Sequence, residues 1–394
     1  MHSVTIEQIS GRKALRRFVE FQMELYKGVD AYVPPMIQAE IDCLDPVKNP
    51  AFEHCEAVFF MASRGGKTVG RIAGVINRLS NEKVGRKQCR FCYCDFIDDR
   101  EVSRCLLDTV AEWGRSRGMT ELVGPLGLTD LDAEGCLLMG FDQLATSVEI
   151  YNYPYYPNHF EAYGMKPEAY WNEYHMTMPD VPADQDVVPE KHRRIAEIAR
   201  QRYGLKVLKF TDAKTIVNQY GRRLFQLYNE SYAPLYGFTP LTDRQIDYYI
   251  DLYLPQVRLD LIRLIVDADD NLIAFGIACP SLSKAQQKAK GRMWPFGWFY
   301  LARTMYMTRN SFWGRLLGGG TDTCDLLLVG IRPDMQGKGI NALLFTDLMP
   351  QFRANGYTYV ESNNELETNH KVMNMWNGFT HVLNKRRCTF ICDL

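Results

Sequence analysis

The segment Asp325–Leu344, DLLLVGIRPDMQGKGINALL, leaves few options for how the chain around it folds. Leu326 to Ile331 read as a buried strand, because six apolar or small residues in a row leave no solvent face. Pro333 marks a turn, and a helix is expected to begin near Gly337. Its apolar stripe of Leu344, Leu348 and Phe352 should pack on a sheet, Pro350 is expected to kink or end it, and Gly356 supplies a left-handed stop. Glycines at 337 and 339 remove side chains where a ligand must approach the backbone. The free N–H groups and positive dipole end of the following helix favour an anion, and Lys338 adds a cation. Val329, Gly330, Ile331, Gln336, Gly337, Lys338, Gly339, Ile340 and Asn341 are therefore the expected binding residues for a pyrophosphate-bearing ligand.

The same order of elements occurs earlier in the chain. A hairpin, AVFFMASRGGKTVGRIAGVI, turns at Arg64-Gly65-Gly66, and a second, LIRLIVDADDNLIAFGIACP, turns at Ala268 to Asn271. Each is followed by a strand, a loop and a helix, and the helices stop at Gly118 and Gly356. The strands ELVGP and YTYVES come next. Asn158-His159 then precede Tyr163-Gly164-Met165, as Asn369-His370 precede Asn377-Gly378-Phe379. A diverged tandem duplication is the economical reading, with a Pro- and Asp-rich linker at 178–190. Two domains are expected, 1–180 and 181–394, the second carrying an insert at 284–320. The first copy of the loop, FIDDREVSR, has no glycine and sets Asp98 beside Asp99, so it should repel a pyrophosphate and serve for packing or substrate surface.

At 394 residues the chain is long enough for two such domains. Its 46 Lys and Arg balance 47 Asp and Glu, which gives no reason to expect a nucleic-acid partner. The N-terminal stretch has no apolar signal region and no window is long and apolar enough to span a bilayer. A cytoplasmic protein with reduced thiols is expected, at the inner membrane surface if the insert described below reaches it. Cys89, Cys92 and Cys94 suggest a metal, but a strand would set Cys92 and Cys94 on one face and Cys89 on the other. With no second Cys or His pair at zinc spacing, no metal is expected. Arg64-Gly65-Gly66-Lys67-Thr68 echoes a phosphate loop but has Met61 where the first glycine belongs, and Gly318-Gly319-Gly320 reads as a hinge.

Residues 329–341 resemble the cofactor loop of the GNAT acyltransferases, Gln/Arg-x-x-Gly-x-Gly/Ala after a Val-x-Pro strand end. Gln336, Gly339 and Ile331-Arg332-Pro333 carry the match, while Asn341 stands where the family has Gly or Ala. The resemblance implies an α+β fold with a mixed, mostly antiparallel sheet flanked by helices. It also implies acyl-CoA or an acyl carrier protein as co-substrate, with no permanently bound cofactor. Transfer of an acyl group to an amine needs a base, donors for the oxyanion and a proton for the thiolate. Asp325, eleven residues before Gln336, stands where the family often has a carboxylate. Glu361, Glu367 and Asn369 are further candidates, with Glu361 and Asn363 expected on one face of an extended chain. The backbone N–H groups at Val329 to Ile331 are the expected oxyanion donors. The family tyrosine that protonates the thiolate is replaced by Trp376. A rival cysteine chemistry at Cys324 lacks a histidine at suggestive spacing, since His370 and His381 imply no dyad with it.

The insert is basic and aromatic. No acid occurs from Asn271 to Thr321, whereas Lys284, Lys288, Lys290, Arg292, Arg303, Arg309 and Arg315 do, and Trp294, Trp298 and Trp313 are half of the six tryptophans. Such segments favour the headgroup layer of anionic membranes, and core packing or a dimer surface is the alternative. The phrases ELYKGVDAYVPP, NPAFEHCEAVFFMA, ELVGPLG, EGCLLMGFD and YNYPYYPNHFEAYGM resemble a tandem GNAT family of bacterial proteins that includes ceramide synthases. That resemblance implies N-acylation of a long-chain lipid amine such as a sphingoid base. Acylation of a soluble small amine, or an inactive membrane-associated acyl-CoA-binding protein, are the alternatives.

Overall fold

The computed structural model describes residues 3–394. A single mixed sheet runs through the chain. Its early strands are β1 (Thr5–Ile9), β2 (Cys55–Arg64), β3 (Lys67–Asn77), β4 (Gln88–Phe96), β5 (Glu121–Gly124), β6 (Cys136–Met139) and β7 (Lys166–Thr177). The later ones are β8 (Lys206–Leu208), β9 (Ile262–Val266), β10 (Leu272–Pro280), β11 (Thr323–Ile331), β12 (Tyr359–Ser362), β13 (Glu365–Leu366) and β14 (Thr380–Asp393). Along the sheet the order is β1-β2-β3-β4-β5-β14-β7-β12-β11-β10-β9-β8, with β6 on β14 and β13 on β7. Among the described residues only β4–β5 and β11–β12 are parallel. The result is an α+β architecture whose sheet is mostly antiparallel, as expected.

The central strands cross between the two halves. β14, the last strand of the second half, pairs β5 of the first, and β7, the last strand of the first half, pairs β12 of the second. β14 and β7 then pair with each other from Thr380↔Thr177 to Ile391↔Lys166. Both strands are long, and among their buried residues three are charged, Glu173 on β7 and Lys385 and Arg387 on β14.

Arg387 and Glu173 are fully buried here and bonded at 2.5 Å, while Lys385 lies 3.3 Å from the same carboxylate. Burial of such charges is tolerated only because they answer one another.

Both hairpins turn where the glycines and the Asp-Asn run require. Three local expectations are corrected. The helix begins at Ile340, not Gly337, because Pro333–Met335 form a single 3₁₀ turn and Gly337 and Gly339 both take positive φ. It continues through Pro350 to Asn355. Pro350 stands on the exposed face, where the carbonyl it leaves unpaired can bond water. In β4, a bulge at Tyr93, whose φ is 47°, resets the alternation. Cys89 and Cys94 therefore share one core and Cys92 enters the other. Among the described residues no three His, Cys, Asp or Glu side chains are grouped as a metal would need.

Each half places a helix against the strand that runs on past its parallel partner. Residues 100–116 cover β3 and β4, and residues 340–355 pack Leu343, Leu344, Leu348 and Phe352 against the β9–β11 side. β4 is paired by β5 only over Gln88–Arg90, and β11 by β12 only over Thr323–Leu326. A gap therefore opens at the same place in both halves. In the first it is filled: Leu126 N–H bonds Phe91 O at 2.9 Å, and Leu126 and Leu128 are buried there. In the second it stays open.

Candidate functional site

The open gap is a cleft of about 650 Å³ between the diverging ends of β11 and β12. One wall is β11 from Leu326 to Ile331 and the loop beyond it, and the other is the chain from Ser362 to Leu366. The helix Gly221–Tyr232 and the start of the helix Glu190–Tyr203 close its sides.

A bulge shapes the β11 wall. Ile277 faces Leu328 and Ala278 faces Leu326, so Leu327 is an extra residue with no partner on β10. Its carbonyl turns to the cleft side and accepts from Asn363 Nδ2 at 3.1 Å. Past the bulge, Arg332 N–H bonds Ile273 O across the ladder. The alternation of an antiparallel pair then turns the N–H groups of Val329 and Ile331 away from β10, into the space that β12 has vacated. Val329 O, on the same side, accepts from the Tyr232 hydroxyl at 3.2 Å.

The expected cofactor residues divide by location. Val329, Ile331, Gln336, Gly337, Gly339 and Asn341 line the cleft. Gly330 backs onto helix 221–232, where a Cβ would meet the Phe275 ring at 2.3 Å and Ser231 Oγ at 2.8 Å. Ile340 is buried in the core. Lys338 turns outward over the Tyr203 ring at 5.4 Å and is not on the cleft wall. Cations that sequence reasoning missed stand there instead, Lys191 and Lys371, the latter bonded to Gln336 Oε1 at 3.0 Å. The helix 340–355 has Gly339 as its N-cap and no side-chain cap, so its leading N–H groups face the cleft mouth unanswered. The contrast with the first half is chemical as well as steric. Asp99 caps helix 100–116 by accepting from Glu101 and Val102 N–H, and it also pairs with Arg64.

Of the four catalytic candidates, Asp325 and Glu361 are brought side by side on β11 and β12, and the four do not share one surface. Asn369 lines the cleft at the start of the short helix 370–373. Glu367 bonds Arg386 at 3.0 Å away from the cleft wall. Glu361 lies on the paired part of β12, bonded to His175 Nδ1 at 2.5 Å and to Asn384 Nδ2 at 3.1 Å, with Lys385 at 3.8 Å. It does not share a surface with Asn363, because β12 ends at Ser362 and the chain turns before Asn363 reaches the cleft. Asp325 sits opposite Glu361 in register, 1% exposed and off the cleft wall. Cys324 beside it is completely buried.

Burial, with the neighbouring Glu361 charge adding to it, pushes the Asp325 carboxyl up to about 7 from an ordinary 3.8. The folded protein thus holds this proton where the unfolded chain has released it. The associated stability is complete below about pH 4 and is lost as pH rises to about 7, an amount on the order of 4 kcal/mol at most. Asp325→Asn is expected to flatten this part of the stability profile, read as thermal midpoints between pH 4 and 7. An unchanged slope would show that Asp325 is ionised in the folded state.

The carboxylate that does face the cleft is Glu365. β13 is only two residues long, and its pairing with Asn172 and Trp171 of β7 fixes Glu365 in place. Trp376 Nε1 donates to both carboxylate oxygens, at 2.8 and 2.9 Å. Burial raises its pKa to about 8 against the lowering effect of the indole bond. A carboxyl group tuned this close to neutrality, in a cleft, is suited to proton transfer. The signal for it in the sequence was the indole standing where the family has tyrosine. That substitution removes an acid and supplies a donor that orients a carboxylate.

No family model matches the chain. Protein YghO of Escherichia coli (strain K12) is 26% identical over 370 residues, 92% of this chain and 88% of that protein. A bacterial ceramide synthase of Caulobacter vibrioides (strain NA1000 / CB15N) is 27% identical over 326 residues, 82% of this chain and 79% of that protein. Among solved structures, a tandem GNAT protein from the clavulanic acid biosynthesis pathway superposes with a TM-score of 0.54 at 12% identity, over 99% of this chain and 98% of that one. A GCN5-related glucosamine N-acetyltransferase region of a fungal multi-domain β-N-acetylglucosaminidase also gives 0.54, at 14% identity, over 100% of this chain and 38% of that one. The chain has the tandem GNAT fold and is similar, along most of its length, to a bacterial ceramide synthase.

Proposed function

We propose that the chain transfers a long acyl group from an acyl thioester, acyl-CoA or acyl carrier protein, to the primary amine of a lipid such as a sphingoid base. The observation that carries acyl transfer is the open gap between β11 and β12. It has an uncapped helix N-terminus at one end and a carboxyl group of raised pKa on its wall. The lipid acceptor is supported by the similarity to a protein named for ceramide synthesis and by the exposed aromatic insert, which gives the protein a surface for peripheral membrane contact. Among the described residues no helix is long and apolar enough to cross a membrane.

In this reading the donor's pyrophosphate lies at residues 336–341, with Lys191 and Lys371 beside it. The thioester carbonyl points at the N–H groups of Val329 and Ile331, which stabilise the oxyanion. Glu365 takes a proton from the acceptor's ammonium, the free amine attacks the carbonyl carbon to form the N–C bond, the C–S bond breaks, and the second proton lost from nitrogen replaces the one that Tyr232 gives up. Tyr232, whose hydroxyl faces Val329 across the cleft, protonates the departing thiolate. The first domain, residues 1–180, is proposed to have no thioester site of its own, since Asp99 and the Leu126–Leu128 segment occupy the corresponding places, and to contribute surface for the acceptor.

The test is thiol release by the purified protein, with acetyl-CoA or palmitoyl-CoA offered against a sphingoid base or a soluble polyamine. Release is expected only with palmitoyl-CoA and the sphingoid base. Release with acetyl-CoA and the polyamine would assign a soluble acceptor. Silence in every combination, with CoA bound, would leave a carrier-protein donor or an inactive binding protein.

A further inference from the structure

The insert builds a second cavity, distinct from the cleft. The helices Ser283–Ala289, Gly297–Tyr306 and Phe312–Leu317 and the turn after them enclose about 440 Å³ at the opposite end of β11. Its wall carries Lys284, Lys288, Arg303, Arg309 and Arg315 against a single carboxylate, Asp322, which lies 3.9 Å from Lys284. Five like charges around one small cavity repel one another unless an anion sits among them.

The side chains of Lys284, Lys288, Arg309 and Arg315 are exposed, and the backbone that carries them is held in place. Gly318 caps helix 312–317 in a left-handed turn and its carbonyl accepts from Arg303 at 2.7 Å, so the triple glycine stops a helix and fixes a cation where a hinge was expected. Gly320 has φ 79°, and a Cβ there would meet Met307 O at 2.7 Å. The frame is pinned at its back: Gly291 O accepts from Ile37 N–H at 2.9 Å, and Asn310 Nδ2 donates to Arg353 O at 3.1 Å.

The same helices and the turn before Gly297 leave their rings in solvent. Trp294 is 78% exposed, Phe312 72% and Trp313 60%, and Tyr306 and Leu316 are comparably bare. Apolar surface of this extent on a water-soluble face marks a contact site, and indole and phenol rings beside cations suit the headgroup layer of a bilayer.

We propose that this cavity binds the phosphate of an anionic phospholipid headgroup while the surrounding rings enter the bilayer interface. The proposal rests on the lipid reading above for its purpose, but vesicle binding is measured without turnover, so the two can fail separately.

Sedimentation of the full chain with vesicles tests it, comparing phosphatidylcholine alone with phosphatidylcholine plus phosphatidylglycerol. Lys288→Gln with Arg315→Gln is expected to weaken binding to the anionic vesicles by about 30-fold, at about 1 kcal/mol per cation near the surface. Binding to neutral vesicles and turnover of detergent-dispersed substrate should stay as they were. Trp294→Ala with Phe312→Ala should weaken binding to both kinds of vesicle. Glycerol phosphate should compete with the anionic vesicles. An equal loss from Lys67→Gln with Lys87→Gln, in the first half, would mean diffuse surface charge and overturn the cavity. Tight glycerol phosphate binding with no vesicle binding would reassign it to a soluble phosphate. Capture of an acidic carrier protein through Lys288 and Arg315, without vesicle binding, would overturn the lipid assignment.

Discussion

Gly337→Asp is expected to lower the affinity of the cleft for a CoA thioester by about a hundredfold or more and to lower the thermal midpoint by only about a few degrees. Gly337 lines the cleft, and nothing lies within 4 Å of the place its Cβ would occupy. Its φ of 74° is a conformation that aspartate adopts at modest cost. The added carboxylate would face a pyrophosphate at the uncapped start of helix 340–355. A like charge at about 4 Å costs roughly 4 kcal/mol at a near-surface effective dielectric of about 20, and screening reduces that toward 3. Gly339 would be a poorer probe, because a Cβ there meets Ile195 Cγ2 at 2.7 Å and any loss of binding would be confounded with displacement of helix 190–203. Isothermal titration with CoA, alongside a thermal melt, reads both quantities. Unaltered CoA affinity in a folded Gly337→Asp protein would remove the loop from the donor site.

The loop was legible because its chemistry is local. An apolar strand, a proline, two glycines and a helix follow one another within 20 residues, and each acts on the backbone next to it. The hairpins were legible for the same reason. What sequence reasoning placed less well depends on contacts made elsewhere. Lys338 lies within the loop in sequence, yet its side chain finds Tyr203 of helix 190–203, while Lys371 arrives from 35 residues beyond Gln336 to bond it. The expectation that Glu361 and Asn363 share a face failed because an extended chain was assumed from Glu361 onward. β12 stops at Ser362, and the chain resumes as β13 on β7, a strand of the first half. That pairing exists only because the last strands of the two halves cross over, and hydrophobic periodicity carries no trace of which strand a neighbour comes from. Asp325 illustrates the same limit. It is an acid in an otherwise apolar strand, and it is buried with a raised pKa, but burial in the sheet and burial in a cleft look alike in sequence.

Glu365→Gln should lower kcat/KM for acyl transfer by roughly 10²- to 10⁴-fold, the range typical for loss of a general base. The amide keeps the size of the side chain and can still accept from Trp376 Nε1, so the wall of the cleft should hold its shape. The pH profile separates a catalytic from a structural effect. With a pKa of about 8, the carboxylate form grows through the mildly alkaline range, and wild-type kcat/KM should rise through about pH 8. The variant should show no such limb. Stability should move the other way. Glu365 is protonated in the folded protein where the unfolded chain, with an ordinary value of 4.5, is ionised. Its contribution is therefore complete below about pH 4.5 and is lost as pH rises to about 8. A glutamine cannot ionise, so the variant should be at least as stable as the wild type at pH 8 while being far less active. If Glu365→Gln keeps full activity and Glu361→Gln abolishes it, the base is the Glu361–His175 pair. The amine would then be delivered from the charged centre of the sheet, beside Lys385 and Asp325, and not along the cleft wall.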